Sequence, residues 1–224
     1  MRYLLVISVF IFSASTSAQY RKDWPVMEVM AGAGITTVLG DIGVYGIGPA
    51  FNAGFRYRFN NNFSIATSIH PALALGSDAN TRNESRGLSY KTFLLEPTVQ
   101  FEYFFFKERR GFDRMGRLIS VPRIRPYLFG GGGGVYFNPK VEGENLSSVS
   151  TDYSKFTWTV IGGAGFIYTL NKEWLLGAEF GGRYLTVDYL DGYSPSASKA
   201  NDLYYMASVN LIYRWEPSPH RRRL

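Results

Sequence analysis

PAFNAGFRYRFNNNFSIATSIHPALALG, residues 49–76, is the stretch whose reading decides the fold. Phe51, Ala53, Phe55, Tyr57 and Phe59 alternate with Asn52, Gly54, Arg56 and Arg58. After Asn60-Asn61-Asn62 the alternation resumes, with Phe63, Ile65, Thr67, Ile69, Leu73 and Leu75 against Ser64, Ala66, Ser68, His70, Ala72, Ala74 and Gly76. A period of two puts each set on its own face of a strand. The three asparagines form a tight turn, so the stretch predicts a hairpin. Each arm has the length a tilted membrane-crossing strand needs, about 9–11 residues. A soluble sandwich hides its apolar face against a second sheet. A transmembrane barrel turns that face to lipid and keeps the polar face in the lumen.

Outward from the hairpin the pattern recurs. A first strand is expected from about Pro25 to Gly34, with Met27, Val29, Ala31 and Ala33 on one face and Val26, Glu28, Met30 and Gly32 on the other. Thr36 to Ile47, with Gly40-Asp41 and further glycines, reads as a loop. The hairpin arms are strands two and three. Strand four runs from Leu88 to Phe105, setting Phe93, Leu95, Val99, Phe101 and Tyr103 against Thr92, Leu94, Glu96, Thr98, Gln100 and Glu102. Pro97 inside it cannot donate to a ladder and suggests a bulge. Strand five is Pro126 to Phe137, where the run Gly130 to Gly134 reads as close packing in a narrow lumen. Strand six is Phe156 to Leu170. Strand seven begins at Trp174 after a second short turn, Asn171-Lys172-Glu173, and strand eight is Leu203 to Trp215.

The chain is therefore expected to be all-β, an eight-stranded antiparallel transmembrane barrel of the outer membrane. The first, third, fifth and seventh connections read as polar loops of 11 to 18 residues, and the second and sixth as turns of three. Long loops outside and short turns in the periplasm are the outer-membrane pattern, with both termini periplasmic. Phe59, Phe63, Phe105, Trp174 and Trp215 would form the inner aromatic girdle.

Residues 1–18 read as a signal peptide: Arg2, then apolar Tyr3 to Phe12, then small residues from Ser13 to Ala18. Residues 19–215 would form the barrel and 216–224 a basic periplasmic tail. Cysteine is absent from the 224 residues, which excludes a disulfide framework and a Cys-based metal site. The composition holds 16 Tyr, 17 Phe and 24 Gly, the residues that girdles and close-packed lumens use. The net charge of +6 is basic, but nucleic acid is not an expected partner of an exported protein.

On the polar faces lie Glu28, Glu96, Glu102 and Glu179 together with Arg56, Arg58, Arg183 and Arg214. Buried charges must be paired. These eight residues are expected as lumen ion pairs, with Glu28 between Arg58 and Arg214 near the periplasmic ends of their strands. Eight strands leave an interior just wide enough for side chains, so a diffusion pore is not expected. His70 has Ser68 on its own face and Glu96 on the neighbouring strand, a set a lipid-modifying hydrolase would need. A hydrogen-bonded lumen histidine is the reading favoured over it, so no catalytic residue and no enzyme are expected. His220 lies in the tail, and no two-His metal spacing exists. Asp188, Asp191 and Asp202 read as a solvated acidic loop rather than a cation site. No metal, cofactor or small-molecule substrate is expected.

The fourth connection, Phe106 to Arg125, is too long for an ordinary periplasmic turn. Lys107, Arg109, Arg110, Arg114, Arg117, Arg123 and Arg125 against Glu108 and Asp113 give it a net charge of +5. The tail adds +2 and residues 21–23 add +1, while the four external loops sum to −4. Cations beside a membrane attract lipid phosphates. A concentrated basic element also suits docking to an acidic periplasmic partner, with Arg109, Arg110, Arg114 and Arg117 as the candidates and Phe112, Met115, Leu118 and Ile119 as apolar anchors.

Several stretches together carry a family resemblance: the Gly-rich first strand leading to Gly40-Asp41, GPAFNAGFRYRFNNNFSI, SRGLSYKTFLLEPTVQFEYFFF, RPYLFGGGGGVYFNPK and VDYLDGYS. Over most of its length after residue 18 the chain resembles the PorG-like outer-membrane proteins of the type IX secretion system. The resemblance implies a non-enzymatic barrel set in outer-membrane lipid. It also implies association with periplasmic secretion-ring proteins and support of protein secretion across the outer membrane. A general barrel that binds a surface partner through its external loops is the alternative.

Overall fold

A computed structural model describes residues 26–39, 44–78, 87–112, 118–142, 154–186 and 202–215. The expected signal peptide and tail, residues 1–18 and 216–224, lie outside the described residues. The alternating stretches form β1 (Val26–Leu39), β2 (Val44–Tyr45), β3 (Ile47–Arg58), β4 (Phe63–Ser77) and β5 (Ser89–Phe104). Then follow β6 (Arg109–Phe112), β7 (Leu118–Val121), β8 (Ile124–Glu142), β9 (Phe156–Thr169), β10 (Trp174–Leu185) and β11 (Leu203–Trp215). Eight of these close into one antiparallel barrel: β1-β3-β4-β5-β8-β9-β10-β11, with β11 returning to β1. β6 and β7 form a separate hairpin.

The register fixes the barrel's shape. From Val29 it passes through Phe55, Thr67, Val99, Gly132, Val160, Tyr184 and Leu203 and comes back to β1 at Leu39, ten residues further on. A stagger of this kind tilts the strands by roughly 35–45° to the barrel axis.

Two short turns close the end where β1 begins and β11 ends, here called the terminus-bearing end, and they use the same chemistry. The Asn60 side-chain Oδ1 accepts from the backbone N–H of Asn62 and Phe63, at 2.8 and 2.9 Å. Asn171 Oδ1 accepts from Glu173 and Trp174 at 2.9 and 2.8 Å. In each case an Asx turn satisfies donors that a two-strand reversal leaves open.

Burial follows the alternation. Phe51, Phe55, Phe101, Trp158, Phe180 and Val209 are exposed on the outer face, whereas Arg56, Glu28, Glu96 and Arg214 are buried within. The molecule thus carries apolar residues outside and charge inside, the reverse of a soluble domain. Phe59, Phe63, Phe105, Trp174 and Trp215 are all exposed at the terminus-bearing end. Two apolar clusters also fill the lumen. One, away from the termini, includes Val38, Leu88, Tyr90, Leu94, Val135, Phe137 and Tyr204. The other includes Met30, Phe104, Tyr127, Phe129, Ile167 and Ile212. Phe129 fits against β9 and β10 because they present glycine to it: a Cβ at Gly163 or Gly181 would sit 2.6 or 2.7 Å from its ring.

The strands depart from the sequence reading in four places. Thr36 to Ile47 is not one long loop: β1 continues to Leu39, and the chain is again in strand from Val44 to Tyr45 and from Ile47. Gly46 there and Gly48 just beyond it serve close approach, since a Cβ at either would lie 2.2 or 1.6 Å from the Leu75 or Leu73 carbonyl oxygen. Pro97 marks no bulge. The β5–β8 pairs are interrupted at Glu96 and Pro97, yet Leu95↔Tyr136 and Thr98↔Gly133 keep one register. The bulge falls at Gly46 instead, because Tyr45↔Gly76 and Ala50↔Ala72 set five residue steps against four. Finally, β8 begins at Ile124 and runs to Glu142, which takes Arg125 out of the fourth connection and makes it a strand residue.

Candidate functional site

The described charges gather at the terminus-bearing end of the lumen. Glu28 of β1 faces Arg56 and Arg58 of β3 on one side and Arg214 of β11 on the other. Its carboxylate accepts from Arg56 Nη1 at 3.2 Å, Arg58 Nη2 at 2.8 Å and Arg214 Nε at 3.0 Å. Strand pairing makes this inevitable, because Glu28 is in register with both Arg56 and Arg214 and its side chain points inward. Arg56 is the hub. Its Nε lies 2.6 Å from Glu102 and its Nη2 3.4 Å from Glu179. Tyr127 donates to Glu179 and its hydroxyl accepts from Arg56 at 3.4 Å. Glu102 also accepts from Ser64 Oγ at 2.5 Å and from Gln100 Nε2 at 3.1 Å.

Two members of this floor, Glu108 and Arg125, were counted in the sequence as charges of the fourth connection rather than as lumen ion pairs, and the structure turns both inward. Glu108, two residues beyond the run Phe104-Phe105-Phe106, turns inward and meets three arginines. Its carboxylate is 3.0 Å from Arg58, 3.1 Å from Arg125 and 2.9 Å from Arg214. Arg125 is the second residue of β8 and, with Arg58, lies 5.0 Å above the Phe104 ring centroid. The floor thus holds Glu28, Glu102, Glu108 and Glu179 against Arg56, Arg58, Arg125 and Arg214, four charges of each sign. Such balance is what a low-dielectric interior demands. The signal for Arg125 was its period-two relation to Tyr127 and Phe129. Glu108 follows a break in the alternation and had no such signal.

Glu96 and Arg183 form a separate pair, Arg183 Nε to Glu96 Oε2 at 3.1 Å, further from the termini. His70 is buried, and its Nε2 lies 3.3 Å from the Thr98 hydroxyl. The carboxylate that would orient it is engaged by Arg183, and the contact His70 makes is with Thr98 rather than Ser68. Among the described residues no group of three or more His, Cys, Asp or Glu is placed to hold a metal ion. Of the acidic loop, Asp202 is described and buried, while Asp188 and Asp191 lie outside the described residues.

The docking candidates divide. Arg109 and Arg110 are in β6, paired in backbone register with Val121 and Ser120 of β7. Arg114 and Arg117 lie outside the described residues. The hairpin shares no strand pairing with the barrel sheet. It leaves the floor beside Glu108 and returns beside Arg123, whose carbonyl accepts from Thr169 N–H at 2.9 Å.

Known proteins place this architecture. No curated protein matches the chain. Among solved structures, Ail, the attachment invasion locus protein of Yersinia pestis in complex with the heparin analogue sucrose octasulfate, is similar at 13% identity. It has a TM-score of 0.50, and the match covers 86% of this chain and 99% of that one. Neisserial surface protein A is similar at 15% identity and a TM-score of 0.49, covering 84% and 97%. The N-terminal β-barrel domain of Pseudomonas aeruginosa OprF follows at 12% and 0.46, covering 86% and 98%. The family model for the outer membrane protein beta-barrel domain matches residues 4–214, nearly the whole chain. The chain belongs to that family, as an outer-membrane barrel of a Gram-negative cell.

Proposed function

We propose that this barrel is a non-enzymatic assembly or anchoring component of type IX protein secretion, holding a periplasmic ring partner against the outer membrane. In this reading both termini face the periplasm. The Asx turns at Asn60 and Asn171 share the end of the termini, as short periplasmic turns do. The resemblance to the PorG-like proteins supplies the secretion system. The observation that carries docking is the β6–β7 hairpin. It stands outside the barrel sheet on the terminus-bearing side, within a connection that holds Lys107, Arg109, Arg110, Arg114, Arg117 and Arg123 against Asp113 once inward-facing Glu108 and Arg125 are set aside. A projecting basic arm suits an acidic partner by charge complementarity. A packed, ion-paired lumen suits an anchor rather than a channel.

The test replaces Arg109, Arg110, Arg114 and Arg117 by Ala and recovers partners by affinity purification from solubilised outer membranes across a salt series. The expected result is a correctly inserted barrel that loses its periplasmic partners, with wild-type recovery falling as salt rises. Unchanged recovery from an inserted barrel would assign the basic residues to leaflet phosphates and end the docking reading.

A further inference from the structure

Glu108 is the acidic residue in a run of cations, Lys107-Glu108-Arg109-Arg110. A surface glutamate in that setting has neighbours of opposite charge on both sides. Instead, Phe105, Phe106 and Lys107 are exposed while Glu108 is buried at 6% exposure. Its carboxylate reaches Arg58 of β3, Arg125 of β8 and Arg214 of β11, three strands spread around the barrel wall. Every other carboxylate of the floor comes from a barrel strand; this one comes from the connection. The hairpin begins at the very next residue, Arg109, and its return is tied by the bond from Thr169 N–H to Arg123 carbonyl.

We infer that Glu108 is the positioning residue that fixes the β6–β7 hairpin to the barrel floor. The three arginines form a socket shaped by barrel closure, and Glu108 is the tooth that seats the connection in it. With one root held by a buried carboxylate and the other by a backbone bond, the hairpin is presented in a set direction. This deepens the docking reading and rests on it for its consequence, which is that the arm meets its partner already oriented. An arm fixed in advance loses less conformational freedom on binding.

The experiment uses the full-length barrel in detergent, with Glu108→Gln against wild type. Heat-modifiable gel mobility reports whether the barrel is closed. Limited trypsin digestion, followed by mass spectrometry, reports cleavage at Arg109, Arg110, Arg114 and Arg117. A closed Glu108→Gln barrel is expected to be cut in this segment at least tenfold faster than wild type, with the barrel strands protected in both. An unchanged cleavage rate in a closed barrel overturns the inference and leaves Glu108 as charge balance only. If the Gln variant does not close, Glu108→Asp, which keeps the charge and draws it back by one methylene, is judged by the same two results. Partner capture is measured separately. Faster cleavage with capture unaltered, both here and in the arginine-to-alanine barrel, upholds the role of Glu108 while removing the docking reading.

Discussion

The two ends of the lumen both hold apolar side chains but differ in how much charge they hold beside them. At the terminus-bearing end four glutamates and four arginines interlock, with Arg56 touching three carboxylates. Toward the opposite end Val38, Leu94, Val135, Phe137 and Tyr204 pack as an apolar cluster, near the pair Glu96–Arg183. Both solve the same problem, an interior one side chain deep. Apolar packing tolerates many partners of similar size. An ionic network fixes which atom meets which, because each unpaired charge is costly. The end that presents the hairpin is therefore the end whose geometry is specified most tightly.

That contrast can be broken most directly at its hub. Arg56→Met should cost roughly 3–5 kcal/mol, because it strands buried carboxylates on three strands. Urea unfolding in lipid vesicles, followed by tryptophan fluorescence, measures the loss, and a loss below about 1 kcal/mol would show that the floor is not interlocked. The Glu96–Arg183 pair offers a smaller effect. In a double-mutant cycle of Glu96→Gln and Arg183→Met, each single change should destabilise and the double change should recover part of the loss. The expected coupling is about 0.5–3 kcal/mol, and additive losses would mean the pair contributes nothing as a pair. Of comparable size is a comparison of glycines. Gly181→Ala pushes into the Phe129 ring and should cost about 1–3 kcal/mol. Gly130→Ala, whose nearest neighbour would be 3.9 Å away on the outer face, should stay within about 0.5 kcal/mol. Equal effects at the two sites would remove the steric account of the glycine floor.

Most of the barrel was legible because a period of two is a property of sequence. Glu28 lies two residues from Val26 and from Met30, Arg56 two from Arg58, and all five are buried. Where the rhythm broke, reading failed. Phe104-Phe105-Phe106 gives no cue to which way Glu108 turns, and its direction is decided by arginines 50 and 106 residues away. Pro126 suggested a strand boundary and so left Arg125 outside, yet Pro126 sits in register with Phe166 inside β8. Gly46 and Gly48 resemble loop residues by composition. Their role is to let a strand pass against Leu75 and Leu73 of its neighbour, which is invisible until the neighbour is known. The tie between Glu96 and Arg183 joins residues 87 apart and likewise depends on closure.

The bond between Glu28 and Arg214 spans 186 residues and lies beneath the seam where the first strand meets the last. An open sheet carries Arg56 and Arg58 next to Glu28 but leaves Arg214 at its far edge. Until that edge arrives, Glu28 is short of one cation and Arg214 has no carboxylate of β1 to meet. The lock is therefore made in the same event as the seam, and a barrel that opens there must expose both charges together. Closure becomes all-or-none at this point of the circumference. The place where a cylinder made from a flat sheet is weakest is where this chain has set its fastening.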